Sequence, residues 1–176
     1  MAIEYEIQVL DIEENEIKAK LQWLNAEFIS ENLMKRWVFD MSEDDSQEWI
    51  RLRDDWTKVN ITYKKRWSTD IWNTEEIEII VNDFEKTADI LNKLQFKDKY
   101  YQENKRTLYK LWNTEFCIDS WPKIPIYLEI ESTSEEEVRK WIELLWLENH
   151  TYGDFWAKRI YSKYWLDIHS FKELKF

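Results

Sequence analysis

The chain has 176 residues, a formal net charge of −11 and a pI near 4.8, with 44% hydrophobic and 35% charged residues. That length and balance suit one globular domain, 1–176, and an acidic chain repels nucleic acid and anionic lipid at long range, so neither is expected as a partner. Cys117 is the single cysteine, which excludes an intrachain disulfide. The opening MAIEYEIQ lacks the pattern of a signal peptide and no run of about 18 apolar residues exists, so the chain reads as soluble and cytoplasmic.

In chain order, Ile3–Val9 alternates as a strand. A helix follows, with Ile17, Leu21 and Leu24 on one stripe. Strands are predicted over Phe28–Asp40, Trp49–Arg53 and Val59–Lys64. Glu76-Ile77-Glu78 begins another strand–helix unit, whose helix carries Phe84, Ala88 and Leu91 behind an Asn82 or Asp83 cap. Gln102–Lys110 and Glu115–Asp119 are further strands. Glu129-Ile130-Glu131 opens a third unit, whose helix buries Val138, Trp141, Ile142 and Leu145 behind Ser134 and Glu137 in capping-box spacing. Phe155–Tyr164 reads as a last helix. Glu-x-Glu followed by an amphipathic helix thus recurs three times, within an α+β chain of about eight strands and four helices.

Alternation gives the strands one charged face. It carries Glu4, Glu6 and Gln8 on the first strand, and Arg51 and Arg53 on the third. Asn60, Thr62 and Lys64 follow, then Glu76 with Glu78, Arg106, Cys117 with Asp119, and Glu129 with Glu131. Like charges two residues apart on a strand lie about 7 Å from each other and repel. A hard divalent cation between the carboxylates relieves one repulsion. A phosphate chain between the guanidinium groups relieves the other. A sheet closed around that face makes a tunnel for a metal–polyphosphate ligand, with the amphipathic helices covering its apolar outside.

Over nearly its whole length the sequence resembles the CYTH superfamily, the triphosphate tunnel metalloenzymes, which include class IV adenylyl cyclases, thiamine triphosphatases and inorganic triphosphatases. The resemblance lies in EYEIQ at the start, WIRLR at Trp49–Arg53, TYK at Thr62–Lys64 and EIEI at Glu76–Ile79. It continues in DFEKT at Asp83–Thr87, QENKR at Gln102–Arg106 and IDSWPKIPIYLEIE at Ile118–Glu131. It implies an eight-stranded antiparallel closed tunnel. Glu4, Glu6, Glu129 and Glu131, with Glu76 or Glu78, are the implied ligands for Mg2+ or Mn2+, and Asp119, an implied catalytic residue, completes the acidic wall. Arg51, Arg53, Lys64 and Arg106 are implied to hold the triphosphate. The activity implied is that of a hydrolase, with water attacking the phosphoryl group, or of a lyase in which ATP closes to cAMP and releases pyrophosphate.

The family's opening motif is Glu-x-Glu-x-Lys, and Gln8 stands at the lysine position. Glutamine donates a hydrogen bond but carries no charge and cannot act as a base. A non-catalytic polyphosphate- or nucleotide-binding module is therefore the alternative. A solvated sheet face serving contacts with another protein is a third reading. His150 and His169 lie off the charged face and are read as packing or surface residues, and Cys117 has no histidine base near it in sequence. Neither the substrate nor the oligomeric state is legible, and a homodimer is one option left open.

One glycine, Gly153, stands against 12 tryptophans. Trp146 follows the third helix where a left-handed residue is wanted. Trp56 and Trp112 sit in hairpin-like turns, and Trp67, Trp72 and Trp165 in similar contexts. Trp49 and Trp121, by contrast, match tryptophan in the resembled family. Two readings fit this pattern: translation of UGA as tryptophan where the source reads it as glycine, or a truly glycine-poor, tryptophan-rich protein, natural or designed. Asn25 and Gln95 hold equivalent helix ends, so recoding accounts for only part of the glycine shortage.

Overall fold

The computed structural model describes residues 5–41, 48–66, 74–94 and 98–176. Along the chain come β1 (Tyr5–Val9), α1 (Glu14–Trp23), β2 (Glu27–Asp40), β3 (Glu48–Asp54), β4 (Val59–Arg66) and β5 (Thr74–Val81). Next are α2 (Phe84–Lys93), β6 (Asp98–Leu111), β7 (Thr114–Ser120), β8 (Tyr127–Ser132) and α3 (Glu135–Leu144). Last come β9 (Tyr152–Gly153), α4 (Ala157–Lys163), a 3-10 turn at Ile168–Ser170 and β10 (Glu173–Leu174). The eight strands and four helices predicted are all present. The two-residue β9 and β10 are additional, too short for any alternation to announce. The last helix starts at Ala157 and not at Phe155, because Trp156 is extended and the Phe155 N–H is taken by the Gln8 side chain. None of these helices is long and apolar enough to cross a membrane.

The chain divides into two compact units, Met1–Asn32 with Lys105–Ile168, and Leu33–Asn104 with His169–Phe176. β2 and β6 run from one into the other. In the first unit the strand order is β2-β6-β7-β8-β1-β9, with the pairings from β6 onward antiparallel. Ile7, Val9, Phe116, Ile118, Leu128 and Ile130 project to one side and meet Ile17 and Leu21 of α1 and Val138, Trp141 and Ile142 of α3. Each such side chain contributes about 1.5–3 kcal/mol through burial. Trp141 keeps its indole N–H satisfied by donating to Thr114 Oγ1 at 2.8 Å. Ser134 caps α3 by accepting from the Glu137 N–H. The Glu137 carboxylate accepts from the Ser132 and Thr133 hydroxyls.

In the second unit the order is β5-β4-β3-β2-β6, with β10 parallel to β6. α2, capped by Asp83 accepting from the Lys86 N–H, lays Phe84, Ala88 and Leu91 on Phe39 and Leu52. The expectation that helices cover the whole apolar side needs correction at β5. Ile77 and Ile79 are 57% and 58% exposed. α2 has ten residues, about 15 Å of helix, and its cluster takes in Val59 and Ile61 of β4 and only Val81 at the end of β5, so Ile77 and Ile79 lie beyond it.

Among the described residues, seven other than glycine have positive φ, and four of them are Trp56 (70°), Trp112 (53°), Trp146 (52°) and Trp165 (57°); the rest are Asp11, Asn25 and Lys123. Three helix ends are built alike. After α1, the Asn25 and Ala26 N–H groups donate to the Gln22 and Leu21 carbonyls. After α3, Trp146 and Leu147 donate to Glu143 and Ile142. After α4, Trp165 and Leu166 donate to Ser162 and Tyr161. This 5→2, 6→1 pair is the Schellman cap, which places one left-handed residue just past the helix. Asparagine tolerates that conformation, whereas a bulky side chain is strained in it. Trp112 is the first residue of a two-residue hairpin loop and has positive φ while Asn113 does not, the turn class that takes glycine first. Gly153 itself has no positive φ. It is glycine for space, since a Cβ there would lie 2.9 Å from the Phe155 ring.

Candidate functional site

In the first unit the strand register gathers the acidic residues. Glu6 lies opposite Glu131 and Gln8 opposite Glu129 across β1–β8, while Glu131 faces Glu115 and Glu129 faces Cys117 across β8–β7. Directly opposed residues share a face. Glu6, Glu129 and Glu131 each offer a carboxylate oxygen, and these oxygens lie within 4.8 Å of one another. Three half-buried carboxylates that close repel strongly unless a cation lies among them, and an all-oxygen donor set fits Mg2+ or Mn2+. Glu4 falls outside the described residues.

Arg106 of β6 is registered with Asp119 of β7. Its Nε and Nη2 donate to the two Asp119 oxygens at 2.9 and 2.5 Å, and Nη2 also lies 3.0 Å from Glu129 Oε1. Burial opposes the guanidinium charge, but Asp119 and Glu129 hold it firmly protonated, well above its ordinary pKa. Asp119 is fully buried, so this pair fixes both partners. Gln8 is also buried and is tied at both ends. Its Nε2 donates to Glu129 Oε2 at 3.3 Å, and its Oε1 accepts from the Phe155 N–H at 2.6 Å. Burial pushes the Cys117 thiol well above its ordinary pKa, which keeps it protonated and unsuited to nucleophilic attack.

In the second unit, β3, β4 and β5 bring the predicted basic residues onto one face. Arg51 is registered with Thr62 and then Glu78, Arg53 with Asn60, and Lys64 with Glu76. Lys64 Nζ lies 2.7 Å from Glu76, and Glu78 accepts from Thr62 Oγ1 at 3.1 Å and Lys58 Nζ at 3.3 Å. Burial raises the Glu78 pKa, but these two bonds outweigh it and leave the carboxylate below its ordinary value. Arg36 of β2, opposite Arg53, joins the same face and donates to Asn104 Oδ1. Arg36 and Asn104 are both buried and neither was singled out from sequence, because the β2 register is not legible there. His169 stacks on Tyr100 at 4.4 Å, the packing role expected of it.

The profile of the CYTH domain matches residues 2–157. The chain belongs to the CYTH family. Over 135 residues it is 31% identical to the Methanocaldococcus jannaschii protein named "Putative adenylate cyclase MJ0240", covering 74% of this chain and 77% of that one. Among solved structures it is similar to PH1012 from Pyrococcus horikoshii OT3, with TM-score 0.70 and 23% identity, covering 85% of this chain and 92% of that one. It is also similar to HpAC1 from Hippeastrum, described as having a dominant triphosphatase activity, with TM-score 0.58 and 16% identity over 89% and 92% of the two chains. The structural likenesses establish the fold, an antiparallel sheet with helices. CYTH proteins bind triphosphate substrates and depend on metal ions, which the Glu6, Glu129 and Glu131 cluster suits.

Proposed function

We propose that this chain, a single CYTH domain acting in the cytoplasm, binds and processes a triphosphate compound with Mg2+ or Mn2+. The observation that carries this reading is the cluster of Glu6, Glu129 and Glu131, with oxygens within 4.8 Å of one another, beside Arg106. Those glutamates, with Glu4 and with Glu76 or Glu78, are the metal ligands in this reading, and the bound cations polarise the phosphoryl oxygens. Arg51, Arg53, Lys64 and Arg106 hold the phosphate chain. Within the protein Lys64 is already matched by Glu76 and Arg106 by Asp119 and Glu129. Lys64 therefore exchanges Glu76 for a phosphate oxygen, and Glu129 gives up part of its hold on Arg106 when it ligates. Asp119 keeps Arg106 aimed throughout. The names of the relatives point to two outcomes, cyclisation of ATP and hydrolysis of the triphosphate.

A second reading, a polyphosphate-binding module without turnover, is favoured by Gln8, which supplies no charge and has both ends of its amide engaged. Calorimetry with tripolyphosphate tests what the two readings share. Binding is expected to tighten by about 5–150-fold when Mg2+ is present, the usual range of coupling between linked ligands. Equal affinity with and without the metal rejects both. Chromatography of tripolyphosphate, ATP and thiamine triphosphate reactions then separates turnover from binding and hydrolysis from cyclisation.

A further inference from the structure

We propose that Asn60 is a direct contact for the polyphosphate ligand, a role that rests on the triphosphate reading above. Asn60 lies on β4 on the face shared by Arg53, Thr62 and Lys64, directly opposite Arg53. Its side chain is 0% exposed, and neither Oδ1 nor Nδ2 has a hydrogen-bond partner. The Nε of Arg53 is likewise buried with no hydrogen-bond partner. An orphaned buried amide is uncommon and destabilises the protein that carries it. An asparagine in a strand interior also runs against strand propensity. Two cross-strand neighbours that both withhold a polar atom from the protein have those atoms available for something else. Nδ2 and the Arg53 Nε–H are donors, which suits phosphate oxygens. The Asn60 Oδ1 accepts from water carried in with a hydrated cation–phosphate ligand. Thr62, its neighbour on the face, is already committed to Glu78 and does not compete.

The test uses the full chain, tripolyphosphate and Mg2+, with Asn60→Leu and Asn60→Ala measured by calorimetry and by thermal melting without ligand. Loss of a hydrogen bond to a charged group weakens binding by about 10–100-fold. Asn60→Leu is expected to show that loss while melting at or above the parent without ligand, because it removes an unsatisfied buried amide. Asn60→Ala gives the same affinity loss should leucine overfill the site. Unchanged affinity in either folded variant overturns the proposal, and a lower ligand-free melt with parental affinity assigns Asn60 a purely structural role. If the parent itself does not bind tripolyphosphate, the triphosphate reading fails and this one with it.

From the backbone, independently, we infer that the protein made in its source organism carries glycine at Trp56, Trp112, Trp146 and Trp165, encoded by UGA. All four occupy left-handed positions in caps and turns that call for glycine, and all four are exposed, Trp165 by 94%. The buried Trp121 and the helical Trp23 have no positive φ and are outside this inference. UGA is one base from the glycine codon GGA and one from the tryptophan codon UGG, so a code difference converts one residue to the other throughout. The coding sequence, and peptide mass spectrometry of protein from the source, decide it. UGA codons with glycine masses at the four positions are expected, and UGG codons or tryptophan masses there overturn it.

Discussion

A variant with glycine at Trp56, Trp112, Trp146 and Trp165 is expected to melt about 10 °C above the parent. The left-handed conformation costs a bulky residue about 1–2 kcal/mol, and glycine returns about 0.4–1 kcal/mol of that through the greater entropy of the unfolded chain. The net is roughly 0.5–1 kcal/mol per site. The four sites lie in separate turns and should be nearly additive, and a chain of this size moves about 2–4 °C per kcal/mol. The sites should differ in a set order. Trp146 has Lys20 Nζ 5.3 Å above its ring, and the Trp112 ring lies 5.8 Å from Trp141, so both lose a contact on truncation. Trp165 is almost wholly exposed and should gain most. Trp23→Gly is the control. That tryptophan is also 77% exposed but ends α1 in helical conformation, where glycine costs up to about 1 kcal/mol. Differential scanning calorimetry of the singles and the quadruple reads the result. A uniform fall, with Trp23 behaving like the others, would mean that φ is not what distinguishes these sites.

Much of this was legible because strands and caps are local. Alternation placed Glu6, Glu129 and Glu131 on one face, and Arg51, Arg53 and Lys64 on another stretch of charged face, without any knowledge of pairing. Ser134, Asp83 and the cap at Trp146 follow from residues within one turn of each other. Register was not legible. Nothing in the sequence said that Glu6 sits opposite Glu131 or that Lys64 spends its charge on Glu76. Nor could alternation tell a wet polar position from a buried one. Asn60 and Thr62 read only as members of the charged face, and both are 0% exposed. The β5 isoleucines read as core and are exposed, because coverage depends on how far one short helix extends. Gln8 was legible as a missing lysine. Its second partner, the Phe155 N–H, lies 147 residues away in a segment read as helix.

That second partner sets opposite signs for the two effects of Gln8→Lys. Turnover of tripolyphosphate or ATP is expected to rise by about 10²–10³-fold, the usual worth of one cationic or hydrogen-bonding contact to developing charge. Position 8 is opposite Glu129 and on the face of Glu6, so an ammonium there lies beside the proposed metal ligands. Affinity should change little, since in the proposed function four other cations grip the ground state, and a contact that strengthens only in the transition state appears in kcat. Stability should fall. Lysine cannot accept a hydrogen bond, so the Phe155 N–H, now bonded at 2.6 Å to the buried Gln8 Oε1, loses its acceptor. An orphaned buried donor costs about 1–3 kcal/mol, or roughly 2–12 °C of melting temperature. Gln8→Met separates the two effects, since it loses the same acceptor and melts lower but brings no charge and should gain no rate. A parent that already turns over at about 1–10³ per second shows that Gln8 is no handicap, and the binding-module reading then falls. If Gln8→Lys melts lower but stays as slow as Gln8→Met, position 8 serves the Phe155 strut alone, and the missing lysine does not account for the parent's rate.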